Sequence, residues 1–450
     1  MSQEDVIIGI STPYAKGAIS IIRLSGEGSI QIVNKVFKGK DLNNVNSHTI
    51  NYGHICGNNG ELLDEVLVSV FKAPKTYTKE DVVEINCHGG IFITNLIFEN
   101  LVNLGARPAE PGEFTKRAFL NGRIDLTKAE AVMDIIDAEN KTAIKLANQG
   151  INGNIYNMIR DYRQELLDII AVIDVNIDYP EYDDVEILTN EKIKPQLYQL
   201  QEKLDKLLND SIGAKYLKEG INTAIIGKPN VGKSTILNAI LKENKAIVTN
   251  IPGTTRDIVE GKVNLGNITL NLTDTAGIRK TKNIVEQIGV EKSKQQIDTA
   301  DLILLVLDGS TKLSSAEKEL METVKDKPHL VIMNKKDILL SSEINPEYIY
   351  ISAHDSKDIE QLEEKIIKKV LKDIDVTANS TYLGNSRQIS KLRQTLTSLQ
   401  EAMQAIENDA YIDFVEIYLR EAYNYLGEIT GDTSSTSLLD ELFSKFCLGK

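Results

Sequence analysis

The stretch from Ile221 to Thr235, INTAIIGKPNVGKST, constrains this chain more than any other. An apolar run, Thr223 to Ile226, has the length of a buried strand. Gly227, four further residues, Gly232, Lys233 and Ser234 follow at the spacing of a phosphate loop, and Thr235 to Leu241 (TILNAIL) reads as the helix behind it. The chemistry accounts for the spacing. Glycines let main-chain N–H groups curl around a polyphosphate, and the helix N-terminus adds a fixed positive potential. In that frame Lys233 reaches the β and γ phosphates, Ser234 ligates Mg²⁺, and Asn230, Val231 and Thr235 complete the cradle.

Three later stretches select the base. Asp274-Thr275-Ala276-Gly277 follows the alternating run Ile268 to Leu272, placing a carboxylate at a strand end toward Mg²⁺. Asn334-Lys335-Lys336-Asp337 follows the strand Leu330 to Met333. The acceptor-only carboxylate of Asp337 takes both N–H groups of a guanine edge, whereas adenine offers no matching pair. A base that leaves such a group unpaired is rejected by roughly 10⁴-fold. Ser352 and Ala353, after Ile351, are placed to close over the guanine with a backbone N–H. In this order, each after its own strand, the segments point to a GTPase.

One departure from Ras-like enzymes bears on hydrolysis. The residue after Gly277 is Ile278, whose side chain cannot orient an attacking water. Charge on the β–γ bridge must then be neutralised by another group. The Asn230 carboxamide is a candidate ligand for a monovalent cation. Residues 246–257 (AIVTNIPGTTRD) read as the switch loop, with Thr255 as the second Mg²⁺ hydroxyl and carbonyls able to complete a potassium site. Asn250, Pro252 and Gly253 fall in the same nucleotide-contacting loop. Asn230 also reads as an ordinary turn residue.

The rest of the chain flanks this unit. Residues 1–121 read as a small α/β domain, with strands at Ile7 to Ile10, Ile19 to Leu24, Glu65 to Phe71 and Val82 to Asn86 and a helix from Gly90 to Leu104. From Thr127 the period becomes helical, across 128–147, Ile155 to Ile177 and Ile193 to Ile212, with Gly213 to Gly220 as a lead-in to the GTPase. It is helical again at Lys391 to Ile406, Tyr411 to Leu426 and Ser437 to Phe446. The fold class is therefore α/β plus α. One helical domain made of 122–215 and 380–450, with residues 216–379 inserted as a Ras-like P-loop domain, is the economical reading; two separate bundles are the alternative. Net charge is −14, and acidic residues outnumber basic ones in both helical segments, a poor surface for gripping RNA unaided. No apolar run approaches membrane-span length. Cys56, Cys87 and Cys447 form neither a metal spacing nor a disulfide framework, so a reducing, cytoplasmic setting is expected.

GKPNVGKS, IPGTTRD, DTAGIR, NKKD, PGEFTKRAFLNGRIDL and the terminal Cys447-Leu448-Gly449-Lys450 together resemble the MnmE (TrmE) family of tRNA-modifying GTPases, along the whole chain. The resemblance implies an N-terminal folate-binding dimerisation domain, a split helical domain and an inserted GTPase domain. It implies a potassium-stimulated homodimer whose GTPase domains pair, and a heterotetramer with an FAD-dependent flavoprotein similar to MnmG (GidA) that holds most of the tRNA. The family's chemistry attaches an aminomethyl-type group to carbon 5 of the wobble uridine, with a one-carbon unit from 5-formyl- or 5,10-methylene-tetrahydrofolate. Carried over by position, Asn230, Thr249, Ile251 and Thr254 would contact potassium, Ser234 and Thr255 Mg²⁺, and Glu286 would be the general acid/base. Arg23, Glu84, Arg123 and Lys450 would hold the folate, Arg123 standing where the family has lysine. Cys447 is either a nucleophile or a packing residue. A switch similar to Era or EngA in ribosome assembly is the alternative function; those families add a basic RNA-binding module or a second phosphate loop, which this sequence lacks.

Overall fold

The computed structural model describes residues 5–57, 59–138, 140–178, 183–243, 261–265, 268–273, 297, 299–340, 345–371, 381–408, 410–446 and 449. Contacts divide the chain into two compact units. One is Met1–Met133, Ile151–Leu166 and Tyr423–Lys450; the other is Asp134–Gly150 and Leu167–Ala422.

The first unit is built on a seven-stranded sheet. Its strands are β1 (Ile7–Ile10), β2 (Ile19–Ser25), β3 (Phe37–Lys38), β4 (Thr49–Cys56), β5 (Leu62–Phe71), β6 (Val82–His88) and β7 (Arg107–Pro108), in the order β3-β4-β5-β6-β2-β1-β7. Alternation sends Ile22, Leu24, Val68, Val70, Val83 and Ile85 to one face, where α1 (Ser29–Val36) and α2 (Ile91–Asn103) cover them with Ile30, Val33, Ile97 and Leu101. The other face carries the row Ile50, Ser69, Glu84 and Arg23, set by the β4–β5, β5–β6 and β6–β2 registers. Strand β4 and helix α1 are additions to the elements read from sequence. TINYGHIC alternates, but it has Asn51 and Gly53 on its buried positions and Tyr52 and His54 among its outward ones, so its apolar signal is diluted.

Helix α3 (Glu113–Leu120) is fixed by charge as well as by its buried Phe114 and Ala118. The Arg107 guanidinium donates to Asp5 and to Glu113, both at 2.6 Å, and Arg117 donates to Asp5 at 2.6 Å and to Glu80 at 3.3 Å. Arg117 and Glu113 are both buried. Hydrogen bonding to Arg107 holds the Asp5 carboxyl below its ordinary range. Burial pushes the Glu113 carboxyl up, but the two guanidiniums and the Glu110 N–H outweigh it and hold it low. The helix Thr436–Ser444 ends against this region, with Phe443 and Phe446 buried among Leu126, Ala129 and Phe119.

The helical run read across 128–147 is two helices, α4 (Leu126–Ile136) and α5 (Lys141–Ile151), because the Asn140 carboxamide accepts from the Ala143 N–H at 2.8 Å and starts the second. Helix α6 (Asn154–Asp178) matches the sequence reading. Helix α7 (Asp183–Glu219) does not: it starts earlier, contains Pro195, and absorbs the segment read as a lead-in. Burial explains the extension. Ala214 is buried, Tyr216 packs on the sheet that follows, and Lys218 bonds Asp134 and the Gly384 carbonyl, both at 2.6 Å. Gly220, at φ +80°, then ends the helix.

The second unit's sheet comprises β8 (Ile221–Ile226), β9 (Gly261–Leu265), β10 (Ile268–Thr273), β11 (Leu302–Asp308), β12 (His329–Asn334) and β13 (Ile349–Tyr350), ordered β13-β12-β11-β8-β10-β9. All pairings are parallel except β9–β10. Helix α8 (Lys233–Glu243) and the helix Ser356–Leu371 cover one face; the helix Ser315–Val324 covers the other. Strand β11 is accordingly apolar on both faces, as a central strand of such a sheet must be.

Arg117→Ala is expected to destabilise the first unit by about 3–5 kcal/mol, because three carboxylates lose their buried partner. The part carried by Asp5 and Glu113 is complete above about pH 5, where their unfolded carboxyls are ionised, and fades as pH falls through their depressed folded values. Amide exchange of β1 should therefore show a wild-type advantage at pH 7 that narrows below pH 4.

Candidate functional site

The phosphate loop lies between β8 and α8, at the carboxyl edge of the parallel sheet, where open α/β folds place their ligands. Asn230 is exposed at φ +66° and its carboxamide has no protein partner among the described residues. Gly232 sits at φ +98°, and a Cβ there would lie 2.1 Å from Asn334 Nδ2, so the position admits glycine alone without rearrangement. The Lys233 ammonium donates to the carbonyls of Gly227 (2.7 Å) and Lys228 (2.6 Å), and burial pushes its pKa down. Ser234 is exposed in the first turn of α8, as a hydroxyl for a cation must be, while Thr235 donates its N–H to the Gly232 carbonyl at 3.1 Å. Lys228 points away, to Ser314 and to Glu317 at 3.3 Å.

The base-reading segments converge on the same edge. Asn334 is buried at the end of β12. Its Nδ2 donates to the Val231 carbonyl at 2.8 Å, and its Oδ1 accepts the Ala353 N–H at 3.1 Å. One carboxamide thus joins phosphate loop, NKKD segment and the Ser352-Ala353 loop. Lys335 adopts the left-handed region at φ +65° and its ammonium donates to Asp308 Oδ2 at 2.6 Å. Asp337 lies exposed in the 3₁₀ turn Lys336–Ile338, its carboxylate without a protein partner among the described residues. That leaves it open to the two N–H groups of a guanine. Asp308 and Asp358, which hold Lys335 and Lys336, were not singled out in the sequence. Asp308 ends a strand, a position where a carboxylate facing the loops could have been sought.

In the first unit, Arg23 and Glu84 face one another across the β2–β6 register. Arg23 Nε and Nη2 both donate to Glu84 Oε1, at 2.8 and 2.7 Å, and among the described residues Oε2 has no partner. Arg23 Nη1 also donates to the Gly449 carbonyl at 3.4 Å, and its guanidinium lies 5.7 Å from the Phe114 ring centroid. Ser11 donates to the same carbonyl at 3.1 Å, so Gly449 lies against this pair. Arg123 is exposed and lies near Tyr77. Burial raises the Tyr77 hydroxyl pKa, opposed by a 3.0 Å bond with Thr115 and by Arg23 and Arg123. Tyr77, not flagged by any sequence pattern, is thus a polar group beside both arginines. Cys87 is buried, bonded to the Ser20 carbonyl and pushed up by burial, as a core residue is.

Thr249, Asn250, Ile251, Pro252, Gly253, Thr254, Thr255, Asp274, Thr275, Ala276, Gly277, Glu286, Cys447 and Lys450 lie outside the described residues. Among the described residues no group of three His, Cys, Asp or Glu side chains could hold a metal, and no helix is long and apolar enough to cross a membrane.

Family models for the MnmE helical domain and for the GTP-binding protein TrmE N-terminus match residues 126–447 and 6–123. A "tRNA modification GTPase MnmE" from Streptococcus thermophilus is 49% identical over 99% of this chain and 98% of its own length. One from Ligilactobacillus salivarius is likewise 49% identical, over 99% and 98%. Among solved structures, an Aquifex aeolicus Era variant bound to GDP·AlF4⁻ is 26% identical over 40% of this chain and 66% of that one, with a TM-score of 0.26. A phosphate loop, a guanine-reading edge and full-length identity to those relatives agree: this chain belongs to the MnmE (TrmE) family of tRNA modification GTPases.

Proposed function

We propose that this chain hydrolyses GTP while acting, with an FAD-dependent MnmG-like flavoprotein in a heterotetramer, to install an aminomethyl-type group on carbon 5 of the tRNA wobble uridine. The observation that carries the nucleotide half is the Asn334 carboxamide, which braces phosphate loop and base-reading loops together. The domains are 1–121, 122–215 with 380–450, and an inserted 216–379, and the setting is cytoplasmic.

The donor set fits the ions assigned. Ser234, with Thr255, would hold Mg²⁺; Asn230, with Thr249, Ile251 and Thr254, would hold K⁺. When bound, K⁺ supplies positive charge beside the β–γ bridge, the work an arginine does in other GTPases. The chain's own contributions are separate. The loop N–H groups and Lys233 bind the phosphates, Asp337 orients the base, and Glu286 moves the proton of the attacking water.

The Arg23–Glu84 pair supports a tetrahydrofolate site. Glu84 Oε2 is open to the amide-and-amine edge of a pterin, and Arg23, Arg123 and Lys450 supply cations for the formyl oxygen and glutamate tail. The same sheet face leaves Ile19, Ile50, Tyr52 and Leu67 exposed, which suits a second copy of this chain and hence a homodimer.

Three outcomes are expected. Gly232→Ala should weaken guanine nucleotide affinity at least about tenfold, since the new methyl displaces Asn334 from its two partners; fluorescent-nucleotide titration measures it. Turnover of GTP should be at least about tenfold faster in KCl than in NaCl at equal ionic strength, and equal rates would exclude the cation mechanism. Binding of 5-formyl-tetrahydrofolate to the full chain, read by calorimetry, should fall about tenfold or more in Glu84→Ala, while no binding by the wild type would remove the folate arm.

A further inference from the structure

The guanine edge is assembled from two loops of different strands, and one side chain outside both loops joins them. Asp358 sits in the first turn of the helix Ser356–Leu371, six residues beyond Ser352. Its Oδ1 accepts from the Lys336 ammonium at 2.7 Å and its Oδ2 from the Ser352 main-chain N–H at 2.8 Å. The Asp358 side chain is 9% exposed, so both contacts are shielded from water, whereas Lys336 is about half exposed.

The backbone ladder does not do this by itself. Pairing between β12 and β13 ends at Met333↔Tyr350, and the last main-chain ties are Ile351 N–H to the Met333 carbonyl and Lys336 N–H to the Ile351 carbonyl. Asn334 secures Ala353 beyond that point, but the 3₁₀ turn that presents Asp337 has a side-chain anchor at Lys336. We infer that Asp358 is a positioning residue for guanine recognition, holding the Asp337 turn and the Ser352-Ala353 loop at one separation so that the base is read by both at once. The inference rests on the guanine reading above. Burial alone would raise the Asp358 carboxyl; the Lys336 ammonium and the Ser352 N–H reverse this, so the group stays ionised, as a two-sided acceptor must.

The consequence is specific to the base. Guanine offers Asp337 two donors, N1–H and the 2-amino group, and hypoxanthine offers one. A two-donor contact needs the carboxylate in one orientation, whereas a single hydrogen bond tolerates rotation. Loosening the turn should therefore cost GDP more than IDP.

The test is dissociation of fluorescently labelled GDP and IDP from the full-length chain carrying Asp358→Ala, Asp358→Asn or Lys336→Ala. Asp358→Ala should weaken GDP about tenfold and IDP less, so that the GDP-to-IDP preference shrinks about threefold or more. Lys336→Ala, at an exposed position that cannot compromise the core, should shrink the preference in the same direction by a smaller factor. Asp358→Asn keeps an acceptor for Ser352 but loses the ion pair, and should match Lys336→Ala. An unchanged preference in Asp358→Ala and Lys336→Ala, or equal weakening of both nucleotides, overturns the assignment. If Asp358→Ala does not fold by thermal melt, the other two variants decide. A wild-type chain indifferent to the 2-amino group sinks the guanine reading and this inference together; a discriminating wild type with unaltered variants sinks this inference alone.

Discussion

The nucleotide half of the molecule depends on one buried carboxamide. Asn334 uses its donor on Val231 and its acceptor on Ala353, linking segments that are far apart in the chain. Displacing it leaves a carbonyl and an N–H unpaired away from water, at about 1–3 kcal/mol each. The parallel sheet brings β8, β12 and β13 to one edge, but their loops are irregular and would otherwise wander. The carboxamide converts three loops into a preformed surface, and Gly232 is what makes its approach possible. Preorganisation of this kind lowers the ordering entropy that a ligand must overcome on binding.

In the first unit the equivalent job is done with charge. Helix α3 buries Phe114 and Ala118, and Arg107 and Arg117 also tie it to Asp5 before β1 and to Glu80 before β6. Holding α3 there has a consequence for the end of the chain. Gly112 before α3 lies so close to the Phe443 carbonyl and Phe446 that a Cβ would come within 2.7 Å of both, and Gly449 in turn packs on Gly9. Gly449 is also bonded by Arg23, which holds Glu84 as well. A charge network at one end of the sheet thus decides what lies against the polar pair in its middle.

Much of this was legible in the sequence, for physical reasons that differ by region. The phosphate loop was readable because geometry permits few residues there: φ +98° and a 2.1 Å approach leave glycine little competition at 232. The β11 and β12 strands were readable because a doubly covered strand is apolar throughout. Strand β4 was not, since its buried positions include Asn51 and Gly53, while Tyr52 and His54 point outward. The extension of α7 through Gly213 was also hidden, because what holds it is contact with Asp134 and Gly384, far away in sequence. In the site, residues that touch ligand follow short motifs and could be listed. Those that hold them, such as Asp308 and Asp358, answer to no motif; their role exists only once strands from distant segments lie side by side.

The charge pattern around the loop shows how a chain with net charge −14 can still present a cationic site. Lys228 is matched by Glu317, Lys335 by Asp308 and Lys336 by Asp358. Each of these lysines positions a segment while adding little net potential, since its carboxylate lies within 3.3 Å. Lys233 differs. Its partners among the described residues are two neutral carbonyls, and burial disfavours its charge. A triphosphate arriving there restores by direct attraction what desolvation took away, an interaction strengthened by the low dielectric that weakened the free ammonium. Among the described lysines of this edge the charge without a carboxylate partner thus rests on Lys233, and the acidic remainder of the surface need not be altered for a polyphosphate to be attracted there.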